Sequence, residues 1–176
     1  MVPKVRLIRP VALSPPFLDQ ERTRNETPCV EDALVLTFSR SETTSAVTRG
    51  AARLVVAMGF APLLEVCLPN GRRADIMAVG PRGQITIVEV KSGIADFRAD
   101  QKWGDYLPFC DAFYFAVAPE FPEGVLPPEP GLIVADAFDG AVVREPPATP
   151  LVGARRKALT IAFARLAAMR ALGSTP

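Results

Sequence analysis

Three strand-like segments in direct succession constrain the fold of this chain more than any other feature. Residues 62–68 and 73–79 flank Asn70-Gly71, a strong signal for a two-residue hairpin turn. A second turn at 80–83 leads into residues 84–91, whose centre is apolar on both faces. Such a strand lies inside a sheet that is covered on both sides. The sequence therefore predicts a sheet with helices packed on its faces.

The segments on either side of these strands predict a mixed α/β domain over residues 41–176. An apolar stripe of Val47, Ala51, Leu54, Val55 and Met58 indicates a first helix that ends near Gly59. A second helix is predicted over about 96–107, followed by a strand at 112–117, a Pro-rich loop, short strands at 131–135 and 141–144, and a terminal helix. Prolines interrupt residues 1–40, which we expect to form an irregular or poorly ordered leader.

The composition excludes several classes of site. The chain of 176 residues has no histidine, which rules out Ser-His-Asp and Cys-His catalysis and histidine-ligated metals. Its three cysteines are far apart, so we expect buried, reduced thiols and a cytoplasmic protein. No apolar run approaches the ~20 residues of a membrane span, and no secretory signal is recognisable. Carboxylate and metal chemistry remains.

An acid on the second strand and an acid-x-lysine on the third form the candidate site. Glu89 and Lys91 point to the same face of their strand because strand side chains alternate. Asp75 joins them only in a hairpin register that pairs it with Glu89, whereas a four-residue loop at 80–83 would pair it with Val88; the sequence leaves both registers open. Paired carboxylates predict Mg²⁺ or Mn²⁺, with the Val90 carbonyl as a further ligand. Lys91 would assist a water molecule or stabilise charge on a phosphate.

These residues resemble the core of the PD-(D/E)XK nuclease superfamily, with Asp75 as its aspartate and Glu89-Val90-Lys91 as its (D/E)-x-K. More closely, the chain is similar to the MmcB-type bacterial DNA repair proteins. That similarity is carried by Thr48-Arg-Gly50, Gly71-Arg-Arg-Ala-Asp75, Val88-Glu-Val-Lys-Ser92, residues 96–103, residues 113–117, residues 131–136 and residues 154–158. The resemblance implies a restriction-endonuclease-like core of order αβββαβ and a role in DNA repair.

Two departures from the superfamily pattern concern the surroundings of the site. Many members place an acid in the first core helix, where this chain has Arg49 and Arg53, and Glu65 on the first strand is the candidate substitute. Members of the RecB-like branch carry Gln and Tyr four residues apart on the second helix. Here Gln101, a predicted site-lining residue, lies five residues before Tyr106.

Basic residues near the site and in the last helix are candidate DNA contacts. The net charge is only +1, but residues 111–143 carry six acids and no base, and residues 144–176 carry six bases and one acid. Backbone phosphates would meet these side chains, although each also has an ordinary interpretation as surface charge. The predicted nucleic-acid-binding residues are Arg72, Arg73, Arg98, Lys102, Tyr106, Arg155, Arg156 and Lys157.

The sequence thus predicts a DNA repair protein that hydrolyses DNA phosphodiesters with Mg²⁺ or Mn²⁺, using Asp75, Glu89 and Lys91. One alternative is a nuclease-fold module that binds DNA or repair partners without cleaving. Another is a protein-interaction domain of a repair complex that uses the acidic surface of residues 111–143.

Overall fold

The computed structural model describes residues 42–99 and 102–173. The predicted leader over residues 1–40 and the predicted site residue Gln101 lie outside these ranges. In the part of the chain that is described, no helix is both long and apolar enough to cross a membrane.

A six-stranded mixed sheet forms the centre of the molecule. Its strands lie side by side in chain order. Strands β3, β4 and β5 are parallel, and the other neighbours are antiparallel. The bounds are Ala61–Cys67 for β1, Arg73–Val79 for β2, Ile85–Lys91 for β3, Ala112–Val117 for β4, Gly131–Ala135 for β5 and Gly140–Arg144 for β6. Every residue of β3 is buried, as its two-sided apolar pattern predicts.

Helices cover both faces of the sheet. Helix α1 (Glu42–Ala57) buries Val47, Ala51 and Val55 against one face, in a cluster that includes Val88 and Val90 of β3. Gly50 is needed in this helix because a Cβ atom there would lie 2.2 Å from the carbonyl oxygen of Asp136. From α1 to β4 the elements follow the predicted order αβββαβ, and the predicted fold class is confirmed.

The opposite face is covered by α2 (Ile94–Ala99), by two 3₁₀ turns at Lys102–Asp105 and Leu107–Phe109, and by α3 (Gly153–Ala171). The prediction of one continuous helix over 96–107 is wrong, because α2 ends at Ala99 and a 3₁₀ turn begins at Lys102. In a 3₁₀ turn, residues three apart share a face. Trp103 and Tyr106 accordingly both stack on Phe113, with ring centroids 6.0 and 5.6 Å away.

The cysteines differ from the expectation of three buried thiols. Cys110 is buried and free, and burial raises the pKa of its thiol to about 12. Cys67 is exposed at the end of β1 and takes part in a disulfide. Cysteine is usually a buried residue type, but Cys67 is the last residue of β1, the first strand of the described sheet, and its side chain is exposed there.

Candidate functional site

The carboxyl-terminal half of β3 carries two buried charges. Glu89 and Lys91 are 6% and 3% exposed, on the face opposite α1. The Lys91 Nζ lies 3.3 Å from Glu89 Oε1. Charged side chains are seldom buried in this way unless they are paired or bind a ligand. The alternation predicted for this strand therefore brings both groups into one enclosed site.

Asp75 reaches the same site from β2. The register of β2 and β3 pairs Ile76 with Val88. In this register Asp75 lies opposite Glu89, as the site hypothesis requires. The ladder does not continue through this pair. Instead, the Val90 N–H donates to Asp75 Oδ2 at 2.8 Å. The Asp75 side chain thus replaces a main-chain acceptor and holds the two strands together at the site.

The electrostatic state of Glu89 reflects its burial. Desolvation raises its pKa from the ordinary 4.5 to about 7, the negative charge of Asp75 adds to this rise, and Lys91 opposes it. Glu89 Oε2 is shielded from solvent and has no hydrogen-bond partner among the described residues. An unsatisfied buried carboxylate oxygen beside a second carboxylate fits a hard cation.

Among the described residues, the site has no third acidic ligand. Within residues 42–99 and 102–173, no three Asp, Glu or Cys side chains gather closely enough to hold one metal ion. Glu65, the candidate substitute for a helix acid, has its Oε2 2.6 Å from Arg73 Nε instead. The backbone carbonyl of Val90 remains a predicted ligand.

Tyr106, a predicted contact for DNA, lies beside Glu89 and is buried. It is 3% exposed, and its hydroxyl donates to the carbonyl oxygen of Arg73 at 3.1 Å. The same hydroxyl is near enough to Glu89 to lower the pKa of that carboxyl. The helix predicted over 96–107 is replaced here by a 3₁₀ turn at Lys102–Asp105, and Tyr106, directly after it, is buried. Its predicted contact with DNA remains a prediction.

Several predicted phosphate contacts are engaged within the protein. Arg72 forms a two-pronged contact with Asp105 Oδ2, at 3.0 Å from Nε and 2.8 Å from Nη2. Arg155 donates to the Pro108 carbonyl and lies over the ring of Phe109. Arg98, Lys102 and Lys157 are exposed. Their predicted contacts with DNA remain predictions.

Arg156 belongs to a structural cluster that the sequence did not reveal. Its Nη1 and Nη2 lie 2.6 and 2.7 Å from the two oxygens of Asp111. Asp111 also accepts the N–H groups of Ile85 and Leu151. These contacts lower the pKa of Asp111 despite its partial burial. The two residues are 45 positions apart, and no local pattern links them.

A cavity of about 1050 Å³ lies elsewhere, between α3 and the hairpin of β1 and β2. Leu159, Phe163 and Leu166 give it a largely apolar wall, and Glu65 stands at its border. Asp75, Glu89 and Lys91 are not part of its lining. The cavity is therefore separate from the candidate site that the buried charges on β3 form.

Comparisons with known proteins identify the family. The family model of MmcB-like DNA repair proteins matches residues 31–175. The SPO1766 protein of unknown function from Silicibacter pomeroyi is 46% identical, with a TM-score of 0.69 over 73% of this chain and 88% of that chain. A repair endonuclease from Pyrococcus abyssi is 20% identical, with a TM-score of 0.30 over 43% of this chain and 39% of that chain.

No curated protein matches the chain. The family model nevertheless spans most of its length, including the whole sheet and all the residues of the candidate site. The resemblance inferred from the motifs is thereby confirmed. This protein belongs to the MmcB-like family of DNA repair proteins.

Proposed function

We propose that this protein is a metal-dependent DNA phosphodiester hydrolase whose site consists of Asp75, Glu89 and Lys91. The observation that carries the proposal is the unsatisfied, buried Oε2 of Glu89 beside Asp75. A purely structural ion pair would have its oxygens satisfied, since an unpaired buried acceptor costs about 1–3 kcal/mol. The membership of a DNA repair family supports DNA as the substrate.

In this proposal, Asp75 and Glu89 hold Mg²⁺ or Mn²⁺, and the Val90 carbonyl is a further ligand. The bound ion would supply Lewis acidity toward a phosphate oxygen and lower the pKa of a coordinated water. The Val90 N–H keeps the Asp75 carboxylate directed toward β3. Tyr106 lies beside Glu89 and closes one side of the site.

Lys91 acts from the same face of β3 as Glu89. Its ammonium group is enclosed by protein, so its charge is screened less than that of a surface lysine. We assign it two tasks: it orients the attacking water through a hydrogen bond, and it stabilises the negative charge that grows on the phosphate. No histidine is required for either task, which agrees with the composition.

A second function, DNA binding without cleavage, is favoured by one specific observation. Helix α1 packs on the face of the sheet opposite Glu89 and Lys91, so it contributes no acid to the site. The described residues therefore supply two acidic side chains to a cation where a third would strengthen its binding. A protein that binds DNA and metal but leaves every substrate intact would have this second function.

The test compares the wild-type protein with Asp75→Asn, Glu89→Gln and Lys91→Ala. Single-stranded, nicked, branched and duplex DNA are incubated with Mg²⁺, Mn²⁺ or EDTA. Cleavage by the wild type that needs the ion and is lost in all three variants supports the proposal. Glu123→Gln changes an exposed acid in the 3₁₀ turn Glu123–Val125 after β4; it is the matched control and should cleave normally. Equal cleavage by all five proteins would show a contaminating nuclease.

A second readout does not depend on cleavage. Mn²⁺ should raise the melting temperature of the wild type and of Glu123→Gln, because an ion that binds only the folded state stabilises it. The shift should disappear in Asp75→Asn and Glu89→Gln. An equal shift in all four proteins would place the ion elsewhere and contradict the proposed ligands.

A further inference from the structure

Glu65 has a backbone conformation that side chains other than glycine rarely adopt. Its φ is +52°, and it is the only non-glycine residue with positive φ in the described ranges. For most residue types this region is less favourable than the usual conformations. The paired residues on either side, Leu64 with Ile76 and Val66 with Ala74, place Glu65 at the level of Asp75. A strained residue therefore stands beside the candidate site.

Helix α3 holds this conformation from outside the sheet. Arg170 Nη1 donates to the Leu64 carbonyl at 2.5 Å, and its Nη2 donates to the Glu65 carbonyl at 3.0 Å. These two carbonyls belong to β1, the first strand in the order of the described sheet. One guanidinium thus binds both peptide groups around the left-handed residue and offsets part of its conformational cost.

The result of this conformation is a contact between Glu65 and Arg73. The carboxylate oxygens of Glu65 are shielded from solvent, and Oε2 lies 2.6 Å from Arg73 Nε. The Arg73 side chain is nevertheless 59% exposed. Its carbonyl oxygen is bound by the Tyr106 hydroxyl, and it lies two residues before Asp75 on β2. Arg73 is therefore held at both its backbone and its Nε, next to the site.

We propose that Glu65 is a positioning residue that holds the Arg73 guanidinium ready to bind a backbone phosphate of DNA entering the site. A carboxylate at Nε leaves the terminal nitrogens to face an incoming anion. An arginine that is already oriented loses less side-chain entropy when it binds. This inference rests on the proposed function, because it assumes that DNA occupies the site formed by Asp75 and Glu89.

The decisive variant is Glu65→Gly. Glycine adopts a φ of +52° without strain, so the variant should unfold at the same or a higher denaturant concentration than the wild type. Removal of an acid ordinarily strengthens DNA binding. The positioning role predicts the reverse: about threefold to tenfold weaker binding, by analogy with the loss of one charged hydrogen bond. Glu65→Gln keeps an acceptor for Nε and should lie between Glu65→Gly and the wild type.

Binding is measured by fluorescence anisotropy with labelled single-stranded and duplex DNA in EDTA, over a range of salt concentrations. Arg73→Ala should bind about tenfold more weakly, and its salt slope should fall by about one phosphate contact. Adding Glu65→Gly to Arg73→Ala should cause no further loss, because the two residues act through one contact. Glu123→Gly controls for the removal of an acid far from the site.

Two results would overturn the inference while DNA binding remains intact. One is a Glu65→Gly variant that binds DNA as tightly as, or more tightly than, the wild type. The other is an equal loss of DNA affinity when Glu65→Gly is introduced into the wild type and into Arg73→Ala. If the wild-type protein shows no salt-dependent DNA binding, the proposed function itself is wrong, and the role of Glu65 is wrong with it.

Discussion

Two ion pairs, one near each end of β3, differ in their burial, in their hydrogen-bond partners and in the direction of the pKa shift of their carboxyl group. At the end that begins with Ile85, Asp111 has both oxygens bound by Arg156 and by two backbone N–H groups. At the end that closes with Lys91, the Glu89 carboxylate has a 3.3 Å contact with Lys91 and the Tyr106 hydroxyl beside it, and its Oε2 has no hydrogen-bond partner among the described residues. The contacts lower the pKa of Asp111, whereas burial raises that of Glu89.

This difference separates a structural ion pair from a candidate site. The cluster of Asp111 ties together the starts of β3, β4 and α3, and both oxygens of its carboxylate have partners. The pair of Glu89 and Lys91 is buried more deeply, but its carboxylate has fewer hydrogen-bond partners. Proteins leave polar groups unsatisfied mainly where function requires it, because the cost must be offset elsewhere in the fold.

The largest expected effect concerns activity at the Lys91 end. Glu89→Gln should lower the rate of metal-dependent DNA cleavage by at least about 100-fold, because it removes a negative ligand of the proposed ion. Cleavage is followed on the DNA structure that the wild-type protein cuts best. Asp111→Asn should retain its rate per folded molecule at low temperature. If Asp111→Asn lost as much activity as Glu89→Gln, the distinction between the two ends would fail.

The second effect concerns stability at the Ile85 end. Asp111→Asn should lower the free energy of unfolding by about 3 kcal/mol, because it leaves Arg156 without its carboxylate and removes one acceptor from the cluster. Urea titration followed by circular dichroism measures the change. Glu123→Gln, which changes an exposed side chain, should change it by less than about 0.5 kcal/mol. An Asp111→Asn variant as stable as the wild type would remove the structural role.

The third effect is a pH dependence of opposite sign at the two ends. The folded state keeps the Glu89 proton between pH 4.5 and about 7, where the unfolded state has lost it. Stability should therefore fall by about 3 kcal/mol as the pH rises through this window, and Glu89→Gln should abolish the fall. Asp111 contributes in the other direction: its stabilisation is present above its ordinary pKa of 3.8 and is lost as the pH falls further.

These two contributions are separable because their pH windows differ. Unfolding by urea at several pH values between 3 and 8 is compared for the wild type, Glu89→Gln and Asp111→Asn. A wild type whose stability does not change between pH 5 and 7, relative to Glu89→Gln, would show that Glu89 is ionised in the folded protein throughout. The contrast between the two pairs would then be wrong.

The smallest expected effect on stability is the loss of the hydrogen bond from the neutral Tyr114 hydroxyl, which is a reference for the two ion pairs. The Tyr114 hydroxyl donates to Glu145 Oε2 at 2.6 Å, and Glu145 is exposed. Tyr114→Phe should cost about 1 kcal/mol, because the carboxylate it leaves behind can be hydrated. Thermal unfolding monitored by circular dichroism measures this loss. A cost as large as that of Asp111→Asn would mean that partner burial does not determine these energies.

The strands of the fold were predictable because their signals are local. Alternation and turn residues gave the positions of β1 to β6 to within a few residues. The segment after α2 was mispredicted as helix because its composition permits one. Trp103 and Tyr106 stack on Phe113 of β4, and these contacts favour the 3₁₀ turns there.

The candidate site was predictable in its members but not in its geometry. Glu89 and Lys91 interrupt an apolar strand, so their common face follows from the pleat alone. Whether Asp75 joins them depends on the hairpin register, and that register depends on the packing of both strands in the sheet. The left-handed backbone of Glu65 and its contact with Arg73 had no signal in the sequence, since the residue that holds them, Arg170, lies 105 positions away.

By itself, the sequence determined the order of the elements, the burial of β3, the absence of histidine chemistry and the family. Such properties depend on neighbouring residues, or on the mere presence of a residue type. Only the tertiary structure decided which arginines are engaged internally, where Tyr106 points and which carboxylate oxygen is left without a partner. Ion pairing and desolvation are set by groups that are distant in the chain, and folding alone brings those groups together.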